Sequence, residues 1–388
     1  MFTRDEYLRR VERARTKMRA EGLTALMVTG DYIHNNNYRY LTGHLPRDYQ
    51  TTADRTHVLV LTLDGAAIIA HWAGLAAAKA SWVETVVTYT PPFRHANLAE
   101  LFRSLGVASG RVGAELGDDQ RMMMPFAEYE ALKAALPAVS FVDAGPLLWK
   151  LRQIKSPAEV EAIRAGDRMT MAAHREIFAT LRRGMTARDV QQIAASALVA
   201  AGADRPPHSQ ITFTSNSRAK GPDGFILAEG DVLFIDIGVI KDGYWAEFDR
   251  MGVVGGPSPE QERWHKITRD INETWWNGVL RPGITAEDAI LEHIEIMKKA
   301  GLTPAQWGED KLMNPPYAHH AHGIGMSSSE PPRLRLTDKT VLEAGMVINV
   351  ETYIQGGDTR YGCEEDAVIT PSGAEVLSEA DTGLFTIA

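Results

Sequence analysis

Apolar and polar positions along this chain follow two rhythms. Between Asp5 and Glu21 the apolar residues recur at helical spacing, which predicts an amphipathic helix. Ala25-Leu26-Met27-Val28-Thr29 and His57-Val58-Leu59-Val60-Leu61 are short unbroken apolar runs, which predict strands. Alternation of the two kinds points to an α/β domain. Gly145 to Lys155 then leads into Ser156-Pro157-Ala158-Glu159, where a capping serine, a proline at the first helical position and a capping-box glutamate start a new helix. The domain boundary is set there, dividing the chain into 1–155 and 156–388.

The second part repeats itself. Arg182-Arg183-Gly184-Met185-Thr186-Ala187-Arg188-Asp189 is echoed by Arg281-Pro282-Gly283-Ile284-Thr285-Ala286-Glu287-Asp288. In each copy glycine is expected to end one helix, threonine to cap the next, and aspartate to reach back to the threonine amide. The echo predicts a pseudo-twofold α+β domain. Trp264, Trp275 and Trp276 fall in a helical pattern and are expected in a core or a subunit contact.

Acids interrupt the apolar runs of this second part. Asp231-Val232-Leu233-Phe234-Ile235-Asp236-Ile237-Gly238 and Gly345-Met346-Val347-Ile348-Asn349-Val350-Glu351 both read as strands. A carboxylate buried in such a run must be protonated, paired or bound to a cation, so Asp236 and Glu351 point to chemistry. In Gly243-Tyr244-Trp245-Ala246-Glu247-Phe248-Asp249-Arg250, strand alternation sets Glu247 and Asp249 on one face, and either acid could meet Asp236. Ala321-His322-Gly323-Ile324-Gly325 holds an imidazole between small residues that permit close approach. In Tyr361-Gly362-Cys363-Glu364-Glu365-Asp366 three successive acids repel one another unless a cation neutralises them, and Glu364 and Asp366 share a face opposite Glu365.

Asp236, Glu247, His322, Glu351 and Glu365 together form an oxygen-rich, single-histidine set suited to two divalent cations of the manganese, iron, cobalt or zinc type. Cys363 reads as a small buried side chain. Tyr317, His319 and His320 follow Asn314-Pro315-Pro316 in loop-like sequence.

Composition narrows the partners. A formal charge of −9 argues against nucleic acid, whose binding draws on Lys and Arg, and leaves small molecules or peptides. No apolar run approaches the roughly 18 residues of a membrane span. The charged start, Met1-Phe2-Thr3-Arg4-Asp5-Glu6, lacks the apolar core of a secretory signal, and the single cysteine cannot form an internal disulfide. A cytoplasmic setting is expected.

The order and spacing of Asp236-Ile237-Gly238, Gly243-Tyr244, His322-Gly323-Ile324-Gly325, Glu330-Pro331, Gly345-Met346-Val347, Glu351 and Glu365-Asp366 resemble the pita-bread family of prolidase, aminopeptidase P, methionine aminopeptidase and creatinase. The likeness spans most of Lys155 to Ser378. Tyr38-Arg39-Tyr40-Leu41-Thr42-Gly43 resembles, more weakly, the family's creatinase-type first domain, and Leu151-Arg152-Gln153-Ile154-Lys155-Ser156 its linker. The resemblance implies an amino-terminal creatinase-type α/β domain and a pita-bread α+β catalytic domain. It implies metal-ligand roles for Asp236, His322, Glu351 and Glu365, with Glu247 where the metallopeptidases carry aspartate. Because glutamate is longer, Asp249 competes for that role; in creatinase, which works without metal, an acid at the position of Asp249 belongs to the substrate site.

Other positions depart from the family pattern. Ser329 stands where the metallopeptidases have a histidine ahead of the glutamate-proline pair. Between Ser215 and Gly230, where they have another, this chain has none: Ala219 or Lys220 falls near that place and Asp223 is the nearest acid. His208, His319 and His320 are candidate substitutes. The expected reaction is hydrolysis of an amide-like carbon–nitrogen bond in a small substrate or dipeptide, with Glu351 as proton shuttle. The alternatives are a metal-free creatinase-like hydrolase with His322 as general acid or base, a dimethylsulfoniopropionate-lyase-like enzyme with Tyr317 as phenolic base, and a non-catalytic binding module. The two-domain relatives work as dimers, so a homodimer is expected, with His44, Arg47 and Tyr49 as cross-subunit candidates.

Overall fold

In β1 (Ala25–Gly30) and β2 (His57–Thr62) every residue is buried, as expected of strands covered on both faces. The computed structural model describes residues 2–46, 55–204, 209–213, 225–308, 320–378 and 382–388. It divides into two units, Met1–Arg152 and Gln153–Ala388.

The first unit is a mixed six-stranded sheet completed by β3 (Ala66–His71), β4 (Thr85–Tyr89), β5 (Gly110–Ala114) and β6 (Val139–Asp143), in the order β4-β3-β2-β1-β5-β6. Its helices are α1 (Arg4–Glu21), α2 (Asn36–Thr42), α3 (Leu75–Lys79), α4 (His95–Ser104), α5 (Phe126–Ala135) and α6 (Gly145–Gln153). The amphipathic stretch predicted from Asp5 is α1, started by the Thr3 hydroxyl, which accepts the Glu6 N–H. Met27, Val60, Ile69 and Val112 from the sheet meet Leu98 and Phe102 of α4 and Leu132 of α5 in one core. His44 is buried, its Nδ1 2.8 Å from the Tyr38 hydroxyl. Arg47 and Tyr49 lie outside the described residues.

The second unit begins with α7 (Pro157–Thr180), whose capping box between Ser156 and Glu159 forms as the sequence predicts. It continues through α8 (Ala187–Ala200), β7 (Ser209–Phe213), β8 (Val232–Lys241), β9 (Tyr244–Val254), α9 (Pro259–Gly278), α10 (Ala286–Lys299) and α11 (Pro304–Trp307). Then come β10 (Ala321–Gly323), β11 (Glu330–Leu334), β12 (Val347–Gly356), β13 (Thr359–Thr370), β14 (Gly373–Val376) and β15 (Phe385–Ile387). These strands form two sheets, ordered β15-β9-β8-β7 and β11-β10-β12-β13-β14, with β9 lying beside β13.

The internal echo is structural. Thr186 and Thr285 each accept an N–H from the aspartate three residues on, Gly184 and Gly283 share a φ of 91°, and the bridges Thr186–Ile226 and Thr285–Val341 repeat. One detail differs from expectation: α7 stops at Thr180 and α9 at Gly278, so these glycines turn the chain between helices and do not end them.

Helices cover one side of each sheet. From α7, Thr170 donates to the Ala246 carbonyl (3.1 Å) and His174 Nε2 bonds that of Phe248 (3.0 Å). From α9, Asn272 donates to the carbonyls of Val350 (3.2 Å) and Cys363 (2.9 Å). Because strand side chains alternate, residues 247, 249, 351 and 364 project from the other side.

Candidate metal centre

Strand register decides which acids meet. Across β8 and β9, Asp236 lies opposite Asp249 and Gly238 opposite Glu247, so three carboxylates share one face. Across β12 and β13, Glu351 lies opposite Glu364 and Asn349 opposite Asp366, while His322 on β10 lies opposite Asn349. The ligand atoms of Glu247, His322 and Glu364 all fall within 4.8 Å of one another. Glu351 Oε1 is 3.0 Å from His322 Nε2. Gly238 is needed here, since a β carbon built on it would lie 2.6 Å from that of Glu247.

The sequence expectation for Glu365 is corrected by this pleat. Glu365 pairs with Val350 on the reverse face, where its carboxylate takes Arg250 Nη2 at 2.9 Å and the Ser378 hydroxyl. The acid that joins the cluster is Glu364, one residue earlier. A step of one residue along a strand turns the side chain through the sheet, and three consecutive acids give no sequence cue as to which parity faces in.

Electrostatics mark the cluster as deficient in positive charge. Asp236 Oδ1, Asp249 Oδ2 and Glu364 Oε2 are buried with no hydrogen-bond partner among the described residues. Burial, followed by the neighbouring Glu351 charge, pushes Asp236 up to about 7; burial and the charge of Asp236 push Glu247 up to about 8. Burial drives Asp249 and Glu364 well above the usual carboxylate range. Opposing its own burial, the Glu351 carboxylate raises His322 to about 9. Acids held this far from ionising fit a site where cations belong.

The histidine is already oriented for ligation. Its Nδ1 sits 3.1 Å from the Gly323 carbonyl, which can only accept, so Nδ1 carries a proton; Nε2 faces the carboxylates and, with the ring raised to about 9, carries a second proton that a bound cation would displace. Behind it, Asn349 donates to the Glu247 carbonyl (2.8 Å) and to Asp366 Oδ1 (3.0 Å), and Asp366 Oδ2 accepts the Glu247 N–H (3.2 Å). Both peptide groups flanking the Glu247 Cα are thereby held from the neighbouring sheet.

The remaining sequence candidates separate. Asp249 is in the cluster, beside Tyr353 on the same face: a β carbon at Gly362 would meet both. Arg250 lies on the reverse face, where it donates to the Asp249 backbone carbonyl, and Arg360 stacks over the Tyr353 ring at 4.2 Å. His320 is turned away from the expected substrate role, with its ring 5.1 Å from that of His293 on α10. Ser329 is half-buried in the bend before Glu330. Tyr317, His319, His208, Ala219, Lys220 and Asp223 lie outside the described residues. Cys363 is buried and its thiol is pushed far up by burial, as a small core side chain. Sequence reading passed over Glu364, Asn349 and Tyr353 as site residues. Asn349 and Tyr353 share the parity of Glu351 on β12, which was the available signal.

Comparison with known proteins identifies the family and the fold. The profile of metallopeptidase family M24 matches residues 161–371, and that of the creatinase/prolidase N-terminal domain matches residues 10–154. The chain is similar to an Xaa-Pro dipeptidase of Pyrococcus furiosus, at 28% identity over 68% of this chain and 73% of that one. It is also similar to an ectoine hydrolase of Halomonas elongata, at 25% identity over 99% and 98%. Among solved structures, the dipeptidase PepE of Mycobacterium ulcerans superposes with a TM-score of 0.78, at 25% identity over 100% of this chain and 99% of that one. With a creatinase-type first domain and a pita-bread second domain, this chain belongs to metallopeptidase family M24 and is a metal-dependent hydrolase of the prolidase and creatinase superfamily.

Proposed function

We propose that this protein hydrolyses an amide-like carbon–nitrogen bond in a small substrate, with two divalent cations held by Asp236, Glu247, His322, Glu351 and Glu364. The observation that carries this reading is the convergence of Glu247, His322 and Glu364 ligand atoms within 4.8 Å, among carboxylate oxygens that find no partner among the described residues. Manganese, iron, cobalt or zinc suits such a donor set. Cations bound there supply Lewis acidity and lower the pKa of a water toward neutrality.

The chain's own groups do the rest. His322 keeps its proton on Nδ1, bonded to Gly323, and presents Nε2 inward. Glu351 Oε1, 3.0 Å from that nitrogen, takes the proton of the attacking water and returns it to the departing nitrogen. Asn349 and Asp366 keep Glu247 in register by gripping its peptide groups.

A dipeptide is the substrate class supported by the Xaa-Pro dipeptidase relative. Ser329, in place of the metallopeptidase histidine, and the ectoine hydrolase relative favour a compact non-peptide substrate instead. Asp249 favours a cationic one: its Oδ2 is buried with no partner among the described residues, beside the Tyr353 ring, and can receive a substrate nitrogen bearing positive charge. If the protein works without metal, as creatinase does, His322 is the general acid. We take the catalytic part to run from Ser156 and the working form to be a cytoplasmic homodimer.

Elemental analysis of protein purified without added metal tests the central claim. Two equivalents of a divalent metal, with turnover abolished by a chelator and restored by that metal, are expected. No bound metal, with full turnover that His322→Ala destroys, would transfer the assignment to the metal-free hydrolase. Asp249→Asn is expected to raise KM for cationic substrates about tenfold or more while the metal count stays at two.

A further inference from the structure

The acid that the pleat removes from the cluster has work of its own. On the reverse face of the site strands, the Arg250 guanidinium reaches three acceptors on two strands. Nη2 donates to Glu365 Oε1 at 2.9 Å, and Nη1 donates to the carbonyls of Asp249 (2.7 Å) and Glu364 (3.2 Å). Glu365 is completed by the Ser378 hydroxyl, and the guanidinium lies 4.3 Å from the Phe248 ring centroid. Both side chains are almost wholly buried, at 3% and 2% exposure.

The two carbonyls identify the role. Asp249 lies two residues from Glu247 on β9, and the other carbonyl is that of Glu364 itself on β13. One planar fork therefore ties the backbones that carry two of the proposed metal ligands, which come from different sheets. Asparagine and aspartate at 349 and 366 hold Glu247 from the cluster side; Arg250 holds β9 to β13 from behind. A guanidinium is suited to this, because its donors are fixed in one plane and do not need ordering one by one.

We infer that Arg250 and Glu365 form a positioning pair that sets the distance between Glu247 and Glu364, and thereby the affinity of the site for divalent cations. The pair touches neither cation nor substrate. The inference rests on the reading above that Glu247 and Glu364 are ligands.

A buried ion pair exchanged for apolar residues of similar size usually leaves stability unchanged or raised, so the fold and the site can be tested apart. The double variant Arg250→Met/Glu365→Leu and the single variant Arg250→Lys are compared with the parent by thermal unfolding, calorimetric titration with Co2+, and the visible absorption of the Co2+ form. The expected result is a double variant that stays folded, its Tm lowered because the Asp249 and Glu364 carbonyls lose the Arg250 donor, with Co2+ affinity at least about tenfold weaker and shifted absorption bands in both variants. Folded variants with parental affinity and bands overturn the inference. Loss of the fold in both also overturns it, since the pair would then serve stability alone. A parent that takes up no Co2+ refutes the ligand reading itself, which is a separable outcome.

Discussion

Gly362 lies where any side chain would strike the site. A β carbon there would sit 2.5 Å from Asp249 Oδ2 and from the Phe234 ring, and 2.9 Å from Tyr353. The Gly362→Ala variant is therefore expected to lose about 1–3 kcal/mol of stability, as overpacked interiors do, and to displace Asp249. Chemical denaturation checks the first effect, and a KM shift for cationic substrates checks the second. At this scale the sequence was informative wherever an acid interrupted an apolar run, as at Asp236 and Glu351. It was silent between Glu364 and Glu365, because adjacent acids differ only in the face they take.

Helix α9 shows how an element supports the site without entering it. Asn272 donates to the carbonyls of Val350 and Cys363, on the two strands that carry Glu351 and Glu364, and accepts the Thr352 hydroxyl at 2.8 Å. All three partners are backbone or side-chain groups buried beneath the helix. Asn272→Ala takes this donor from both carbonyls, while Thr352 keeps His293 Nε2 at 3.1 Å, at a cost of about 2 kcal/mol, which a lowered midpoint in urea would register. Three helices were legible from their caps: Ser156, Thr186 and Thr285 each accept the N–H of the residue three positions on. Capping is a local contract between neighbours in sequence, whereas the ties Asn272 makes span up to 91 residues.

Across the whole molecule, the first unit carries a buried acid of its own. Glu115 accepts the Thr29 N–H and hydroxyl (2.8 and 2.9 Å) and the Asn37 amide (2.8 Å), yet burial outweighs these bonds and raises it from 4.5 to about 7. The folded protein thus keeps a proton that the unfolded chain releases between pH 4.5 and about 7. The Glu115 contribution to stability falls as pH rises through that window, by about 3 kcal/mol, and changes no further above it. Glu115→Gln should remove this part of the slope and gain stability at pH 8 over the parent. A pH series of Tm values for both proteins decides it, and identical slopes would refute it.

The sequence by itself determined the element types, the internal echo and the chemical character of the site. These follow from side-chain periodicity, capping and the cost of burying charge, all of which act over a few residues. Tertiary structure alone decided which acid of Glu364-Glu365-Asp366 enters the cluster, which turns back to Arg250, and that His320 goes to His293 while His322 meets Glu351. Those choices depend on the pairing of strands far apart in sequence, and a shift of one residue in that pairing would exchange every inward carboxylate for its neighbour.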